Sequence, residues 1–144
     1  MKRQTRQALN GMLFAALVTA GMVVAASAST LALTPSPEIP AAEGTAKMRA
    51  TSNQNTEIRL KVKHLAPPER IATGTAVFVV WVRDVALGSQ AQNLGALRVN
   101  KALSGKLRAI TALKAFDLFI TCEALQTVTA PTGKELLPVH YTGE

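Results

Sequence analysis

The fold is decided by residues 77–137, which contain the apolar runs VFVVWV (residues 77–82), LGALRV (residues 94–99) and FDLFIT (residues 116–121). Short polar segments separate these runs, and runs of this length rich in β-branched and aromatic residues are typical of strands. Strands at such regular spacing indicate a small sandwich rather than an enzyme built around a cleft. We therefore expect an all-β, immunoglobulin-like β-sandwich of about seven antiparallel strands.

The strands differ in how many of their faces are apolar. Residues 57–64 (EIRLKVKH) alternate apolar and basic residues, which predicts a half-buried strand with one basic face. Residues 75–83 are apolar on both faces, which predicts a central strand. The other predicted strands are a short one at 46–50 and longer ones at 94–99, 106–112, 116–123 and 134–141.

The N-terminal 28 residues have the pattern of an export signal. Three basic residues among the first six precede an uncharged run over residues 8–26, and the small residues Ala26, Ser27 and Ala28 follow. This predicts a signal peptide helix over residues 1–28, a mature chain that starts at Ser29, and a periplasmic or secreted protein. The alternative is a retained anchor, which is rather short for a span of roughly 20 residues. Membrane association is expected only in that case.

Residues 29–44 contain Pro35, Pro37 and Pro40 among small and polar residues. This composition predicts a stiff, Pro-rich linker between the signal peptide and a sandwich domain over residues 45–144.

Charge and cysteine content restrict the protein's class. The chain has 16 basic and nine acidic residues, and removal of residues 1–28 leaves 13 basic ones and a net charge of +4. This excess positive charge is expected to be spread along the strands, and it is smaller than nucleic-acid-binding surfaces usually carry. We therefore expect no nucleic-acid partner. Cys122 is the single cysteine, so an intrachain disulfide is impossible and the apolar core must stabilise the fold.

Four motifs occur in order along residues 74–141: the central Trp81, the Asn93-Leu94-Gly95 turn, the strand-ending Glu123, and Pro131-Thr132-Gly133. In this order they resemble the extracytoplasmic C-terminal domain of anti-sigma-K factors and related stand-alone exported bacterial proteins of unassigned role. The resemblance implies a β-sandwich outside the cytoplasm without enzymatic activity. The sequence contains no His-x-x-x-Cys-x-x-Cys segment of the zinc-finger type, so we do not expect anti-sigma activity itself.

Cys122, His64 and His140 supply ligand types of a blue-copper site. Such sites usually gather a Cys, a His and a Met in one short loop, whereas Cys122 and His140 are far apart in sequence and no methionine follows Met48. We therefore expect no metal or other cofactor. Cys122 is expected to pack inward with Leu118 and Ile120.

The acidic residues do not predict a catalytic site. Asp84 and Asp117 are the only aspartates, and neither Ser nor Cys lies in a Gly-x-Ser-x-Gly turn. Asp84 is expected to begin a turn and Asp117 to face solvent. Glu123 and Glu135 could imitate a glycosidase pair, but as isolated acids at strand ends they are expected to be surface charges. We expect no catalytic residues.

Two further features suggest binding. A basic cluster could contact an anionic glycan, a lipid headgroup or a partner, and otherwise it is a solvated face that protects strand edges; it comprises Arg98, Lys101, Lys106, Arg108 and Lys114. Trp81 is expected to pack between the two sheets, the alternative being a sugar-binding platform.

Together these features predict an exported, non-catalytic β-sandwich that acts as a binding or structural module of the bacterial cell envelope, with a protein or envelope component as its partner. A sensory or regulatory module, related to anti-sigma factors and acting with a partner in trans, is the alternative. A small periplasmic metal or redox carrier is a third hypothesis.

Overall fold

The computed structural model describes Gly21, residues 27–88 and residues 90–143. Within this part the chain forms eight strands and one short helix: β1 (Ala28–Ala32), β2 (Glu43–Ala50), β3 (Thr56–Lys63), α1 (Pro68–Ile71), β4 (Val77–Asp84), β5 (Ala91–Leu97), β6 (Gly105–Thr111), β7 (Ala115–Glu123) and β8 (Leu136–Thr142). Most of the predicted signal peptide lies outside the described residues. Among the helices that are described, none has the length and apolar character to cross a membrane.

The strands form two antiparallel sheets of four, which confirms the predicted β-sandwich. Sheet 1 has the order β1-β2-β3-β6, and sheet 2 has the order β5-β4-β7-β8. The alternating apolar side chains of both sheets meet in one core, which includes Met48, Leu60, Phe78, Phe116 and Ile120. β5 lies beside β4 in sheet 2, where variable-type immunoglobulin domains carry an added strand.

All seven predicted strands are present, as β2 to β8. β2 and β5 each begin three residues earlier than predicted, and the added part of β5 includes the polar residues Gln92 and Asn93. Its pairing with β4 shifts at Asn93 to Gly95, where a β-bulge accommodates an extra residue and Gly95 has a φ of 123°. The bulge explains why this strand does not show simple alternation.

The expectation of a Pro-rich linker over residues 29–44 is wrong. Residues 28–32 form the edge strand β1 on β2, and the segment that follows is packed into the sandwich. The Thr34 amide donates to the Pro138 carbonyl at 3.1 Å, and the Leu137 amide donates to Ser36 Oγ at 2.8 Å. The buried residues of the segment are Leu33, Ser36, Ile39 and Ala42. Its prolines shape turns, one of which is closed by the Ile39 amide and the Ser36 carbonyl at 3.0 Å.

Candidate functional site

The outer face of sheet 1 is strongly basic. Successive side chains of a strand point to opposite faces of the sheet. Met48, Leu60 and Val62 are buried in the core, so the residues that alternate with them point to solvent. We call this surface the basic face, and its basic residues, all exposed, are Lys47, Arg49, Arg59, Lys61, Lys63, Lys106 and Arg108. Glu43 and Glu57 lie on the same face. Seven basic and two acidic side chains therefore give it a formal charge of +5.

The strand register places like charges directly opposite one another. Lys47 pairs with Arg59, Arg59 pairs with Arg108 on the other side, and Lys61 pairs with Lys106. Side chains at such positions are about 4.5–5.5 Å apart at Cβ, and like charges there destabilise a sheet. The same register places Arg49 opposite Glu57 and Lys63 opposite Glu43. Repulsion is therefore concentrated at Lys47–Arg59 and Lys61–Lys106, because Glu57 bridges Arg59 and Arg108.

Glu57 holds two of these arginines in place. The Arg59 Nε donates to one carboxylate oxygen of Glu57, and the Arg108 Nη2 donates to the other at 2.8 Å. Glu57 itself is 7% exposed. The hydrogen bonds from Arg108 and Arg59 hold the pKa of Glu57 below its ordinary value. We call these three residues the Glu57 clamp.

The predicted basic cluster is only partly correct. Lys106 and Arg108 belong to the basic face, but Arg98 and Lys101 lie in the β5–β6 connection, and Lys114 lies between β6 and β7. Most of the basic face comes from β2 and β3. The excess charge lies along strands as expected, but on three of them only, since the face carries +5 and the remainder of residues 29–144 carries a net −1.

Trp81 is fully buried, but it does not lie between the sheets as expected. It belongs to a second apolar cluster with Val79 and Phe119 on the outer face of sheet 2, against which Val128 packs. The loop between β7 and β8 is held over this cluster by Asn93, whose Nδ2 donates to the Val128 carbonyl at 2.8 Å. A sugar platform at Trp81 is therefore closed off.

Glu123 is buried at 1% exposure, so the expectation of a surface charge is wrong. Its Oε1 accepts hydrogen bonds from Thr121 Oγ1 at 2.6 Å and from the Thr132 amide at 2.9 Å, and Thr132 Oγ1 donates to Oε2. Thr121 Oγ1 in turn accepts from Trp81 Nε1 at 2.8 Å. Burial raises the pKa of Glu123, but these hydrogen bonds outweigh burial and hold the pKa below its ordinary value. We call this set the Glu123 network.

The supposed glycosidase pair is not assembled. Glu135 pairs with Arg83 at 2.6 Å, and Arg83 lies opposite Asp117 near the start of β7, whereas Glu123 ends that strand. Asp84 begins a turn as expected, because its Oδ1 accepts from the Ala86 amide at 2.7 Å.

One polar row on sheet 2 has the order of a hydrolytic triad. Thr142 Oγ1 lies 3.2 Å from His140 Nε2, and His140 Nδ1 lies 2.8 Å from Asp117 Oδ1. In working triads the carboxylate is buried and holds the imidazole in one tautomer. Here the His140 side chain is 56% exposed and that of Asp117 39% exposed. The row is a cross-strand contact of surface residues, and Asp117 faces solvent as expected.

The candidate copper ligands are separated. Cys122 lies in the core between the sheets with Leu118 and Ile120, as predicted, whereas His140 is on the opposite face of sheet 2 and His64 follows β3. Among the described residues no group of three or more His, Cys, Asp or Glu side chains could hold a metal ion. Burial, with the nearby Glu123 charge, raises the pKa of the Cys122 thiol to about 11.

Comparison with known proteins gives no assignment for this site. No protein-family model and no curated protein matches the chain. The function must therefore be inferred from the chemistry of the basic face.

Proposed function

We propose that this chain is an exported, non-catalytic β-sandwich that binds an anionic component of the cell envelope through the basic face. The observation that carries the proposal is the set of like-charge pairs across β2, β3 and β6. The pairs that no carboxylate bridges, Lys47–Arg59 and Lys61–Lys106, oppose folding by up to about 1 kcal/mol each, which is appreciable against a total stability of roughly 5–15 kcal/mol. A bound polyanion would neutralise these side chains and attract each of them.

Edge protection does not account for these charges. Lysines commonly protect the exposed edges of sheets. However, Lys47, Arg49, Arg59, Lys61 and Lys63 lie on β2 and β3, which have a neighbouring strand on both sides. Charges on strands that are already paired on both sides cannot block edge pairing. A binding role therefore explains these basic residues better.

Other features support a non-catalytic module. The Cys122 thiol is buried with a raised pKa, which disfavours a thiolate nucleophile. The carboxylate of Glu123 is engaged by hydrogen bonds from its own chain. The sequence of residues 1–28 supports export, and an exported chain would meet envelope polymers.

The test compares binding of the mature protein to anionic and neutral dextrans. We expect carboxymethyl-dextran and dextran sulfate to bind, neutral dextran not to bind, and affinity to fall steeply with salt because counterions are released on binding. The double variant Lys61→Glu, Lys106→Glu should abolish binding.

The matched control is Arg98→Glu, Lys101→Glu, which makes the same change in net charge away from the basic face. It should retain most of the binding. Equal losses in both variants would show that net charge alone matters, and equal binding to neutral dextran would contradict the proposal. Circular dichroism and thermal unfolding establish that each variant is folded.

A further inference from the structure

We propose that the Glu57 clamp makes the basic face selective for sulfate or phosphate monoester groups carried on a polysaccharide, over carboxylate groups. The inference rests on the proposed function, since it concerns the chemistry of the anion that the basic face binds.

The clamp fixes two guanidinium groups side by side while leaving them open to solvent. Each arginine gives one nitrogen to the same buried carboxylate, Nε from Arg59 and Nη2 from Arg108. Their side chains nevertheless remain 54% and 66% exposed. Within the described part of the chain, no other acceptor bonds their remaining N–H groups. Two arginine forks are thus prepositioned on neighbouring strands, which lowers the entropy lost when an anion binds.

The shape of the anion decides how well two forks can be used. A carboxylate has two oxygens in one plane, and a single guanidinium fork can engage both of them. A sulfate or phosphate monoester has three terminal oxygens in a tetrahedral arrangement, so two forks can donate to it from different directions. Lysines act as point charges without this geometric preference. Lys47, Lys61 and Lys106 around the clamp therefore supply affinity, and the two arginines supply selectivity.

A polysaccharide is favoured over the other macromolecules that carry phosphate. Insertion into a lipid surface needs exposed apolar residues, but among the described residues Ile110 is the one large exposed hydrophobic side chain on this face. Single-stranded nucleic acid is bound by stacking of bases on aromatic side chains. The aromatic residues that the structure describes lie in the two apolar clusters or against them.

The first measurement compares affinities for dextran sulfate, dextran phosphate and carboxymethyl-dextran of equal length and equal charge per sugar. Both ester-bearing dextrans should bind about tenfold more tightly than carboxymethyl-dextran, the equivalent of one charge-assisted hydrogen bond. Vesicles containing phosphatidylglycerol and a single-stranded oligonucleotide are included at matched phosphate concentration and should bind more weakly than dextran phosphate.

The decisive variant is Arg59→Lys, Arg108→Lys, which keeps every charge and removes both forks. Affinity for the ester-bearing dextrans should fall to that for carboxymethyl-dextran, while affinity for carboxymethyl-dextran stays unchanged. Arg98→Lys, away from the face, is the matched control and should alter nothing.

Glu57→Gln separates positioning from charge. It makes the face more positive, so binding to carboxymethyl-dextran should strengthen. The preference for esters should weaken or disappear, because the amide keeps one acceptor oxygen and can hold only one of the two arginines. A variant that kept the full preference would refute the role of Glu57.

The two proposals fail in different ways. If the protein binds none of the anionic dextrans, the proposed function is wrong, and the inference falls with it. If it binds ester and carboxylate dextrans equally, or if the double lysine variant keeps the preference, the clamp is not a selective element although the basic face still binds polyanions. Tighter binding to vesicles or to the oligonucleotide would overturn the choice of a polysaccharide.

Discussion

Replacement of Glu123 by Gln tests whether the Glu123 network stabilises the sandwich. Gln keeps the shape of the side chain but loses the negative charge and replaces one acceptor oxygen with an NH₂ donor. The oxygen that remains can still accept from Thr121 and from the Thr132 amide. The NH₂ group, however, faces Thr132 Oγ1, which donates to the carboxylate in the native protein.

The expected loss follows from the hydrogen bonds that change. Hydrogen bonds to a charged group contribute about 1.5–3 kcal/mol each, against about 0.5–1.5 kcal/mol for neutral ones. Thr132 Oγ1 can rotate to accept from the new NH₂ group, so that contact is weakened rather than abolished. Allowing for the lower desolvation of a neutral amide, Glu123→Gln should reduce the free energy of unfolding by about 2 kcal/mol.

The pH dependence of this loss has a definite sign. The pKa of Glu123 is lowered in the folded protein from an ordinary value of 4.5. A carboxyl group with a lower pKa in the folded than in the unfolded protein stabilises the fold. This stabilisation is fully present when the pH is above the pKa of the unfolded state, and it is lost as the pH falls through the pKa of the folded state. The difference between wild type and Glu123→Gln should therefore be largest at neutral pH and shrink below pH 4.5.

Urea unfolding followed by tryptophan fluorescence suits this measurement, because Trp81 is the single tryptophan and donates to Thr121 in the same network. The matched control is Asp117→Asn, an acid-to-amide change on the same face of β7 at a partly exposed position, which should alter stability by less than about 0.5 kcal/mol. If Glu123→Gln is as stable as this control, or if its loss does not change between pH 7 and pH 3, the network does not contribute as argued.

Other outcomes follow from the same structure. Trp81→Ala should lower stability by about 3–5 kcal/mol in thermal unfolding, and an unchanged midpoint would contradict its burial. Native Cys122 should react slowly with a thiol reagent at neutral pH and quickly in denaturant, whereas rapid labelling of the folded protein would contradict its core position. Lys61→Gln should raise stability by a few tenths of a kcal/mol at low salt, and added salt should remove this gain. Unchanged stability at low salt would contradict the repulsion between Lys61 and Lys106. Intact mass of protein recovered from the periplasm or the medium should show Ser29 at or near the N-terminus, and a mass that includes residues 1–28 in the membrane fraction would indicate a retained anchor.

Local periodicity predicted the strands and several of their faces. Alternation in residues 57–64 placed Arg59, Lys61 and Lys63 together, and alternation in β7 placed Cys122 inward. The full basic face could not be predicted in the same way. It depends on the register of β2, β3 and β6, which brings residues such as Lys61 and Lys106 together from distant parts of the sequence.

The incorrect predictions involve contacts that periodicity does not encode. A strand that is apolar on both sides does not indicate which side meets the other sheet, so periodicity alone cannot place Trp81 on the outer face of sheet 2. The burial of Glu123 depends on a loop that returns over the strand end about ten residues later. The prolines of residues 29–44 were compatible with either a tether or tight turns, and the packing of Ile39 selects the turns.

Trp81, Asn93, Glu123 and the Pro131-Thr132-Gly133 motif share one structural role. Asn93 and Glu123 hold opposite ends of the β7–β8 loop, and Trp81 lies beneath it. Gly133 is needed where this loop crosses β7, since an added Cβ would lie 2.7 Å from the Cys122 carbonyl oxygen. These motifs therefore maintain the fold of sheet 2 and carry no information about a ligand of sheet 1.

This division between the sheets explains how the basic face can be tolerated. Sheet 2 buries apolar side chains on both of its faces, between the sheets and beneath the β7–β8 loop, so much of the stability resides there. Sheet 1 buries one face and leaves the other to charges that repel one another. Because the like-charge pairs oppose folding only at the level of about 1 kcal/mol each, a doubly covered sheet 2 can offset them. The surface that weakens the fold is therefore also the surface on which a polyanion would gain the most, which is why binding should be sought on sheet 1.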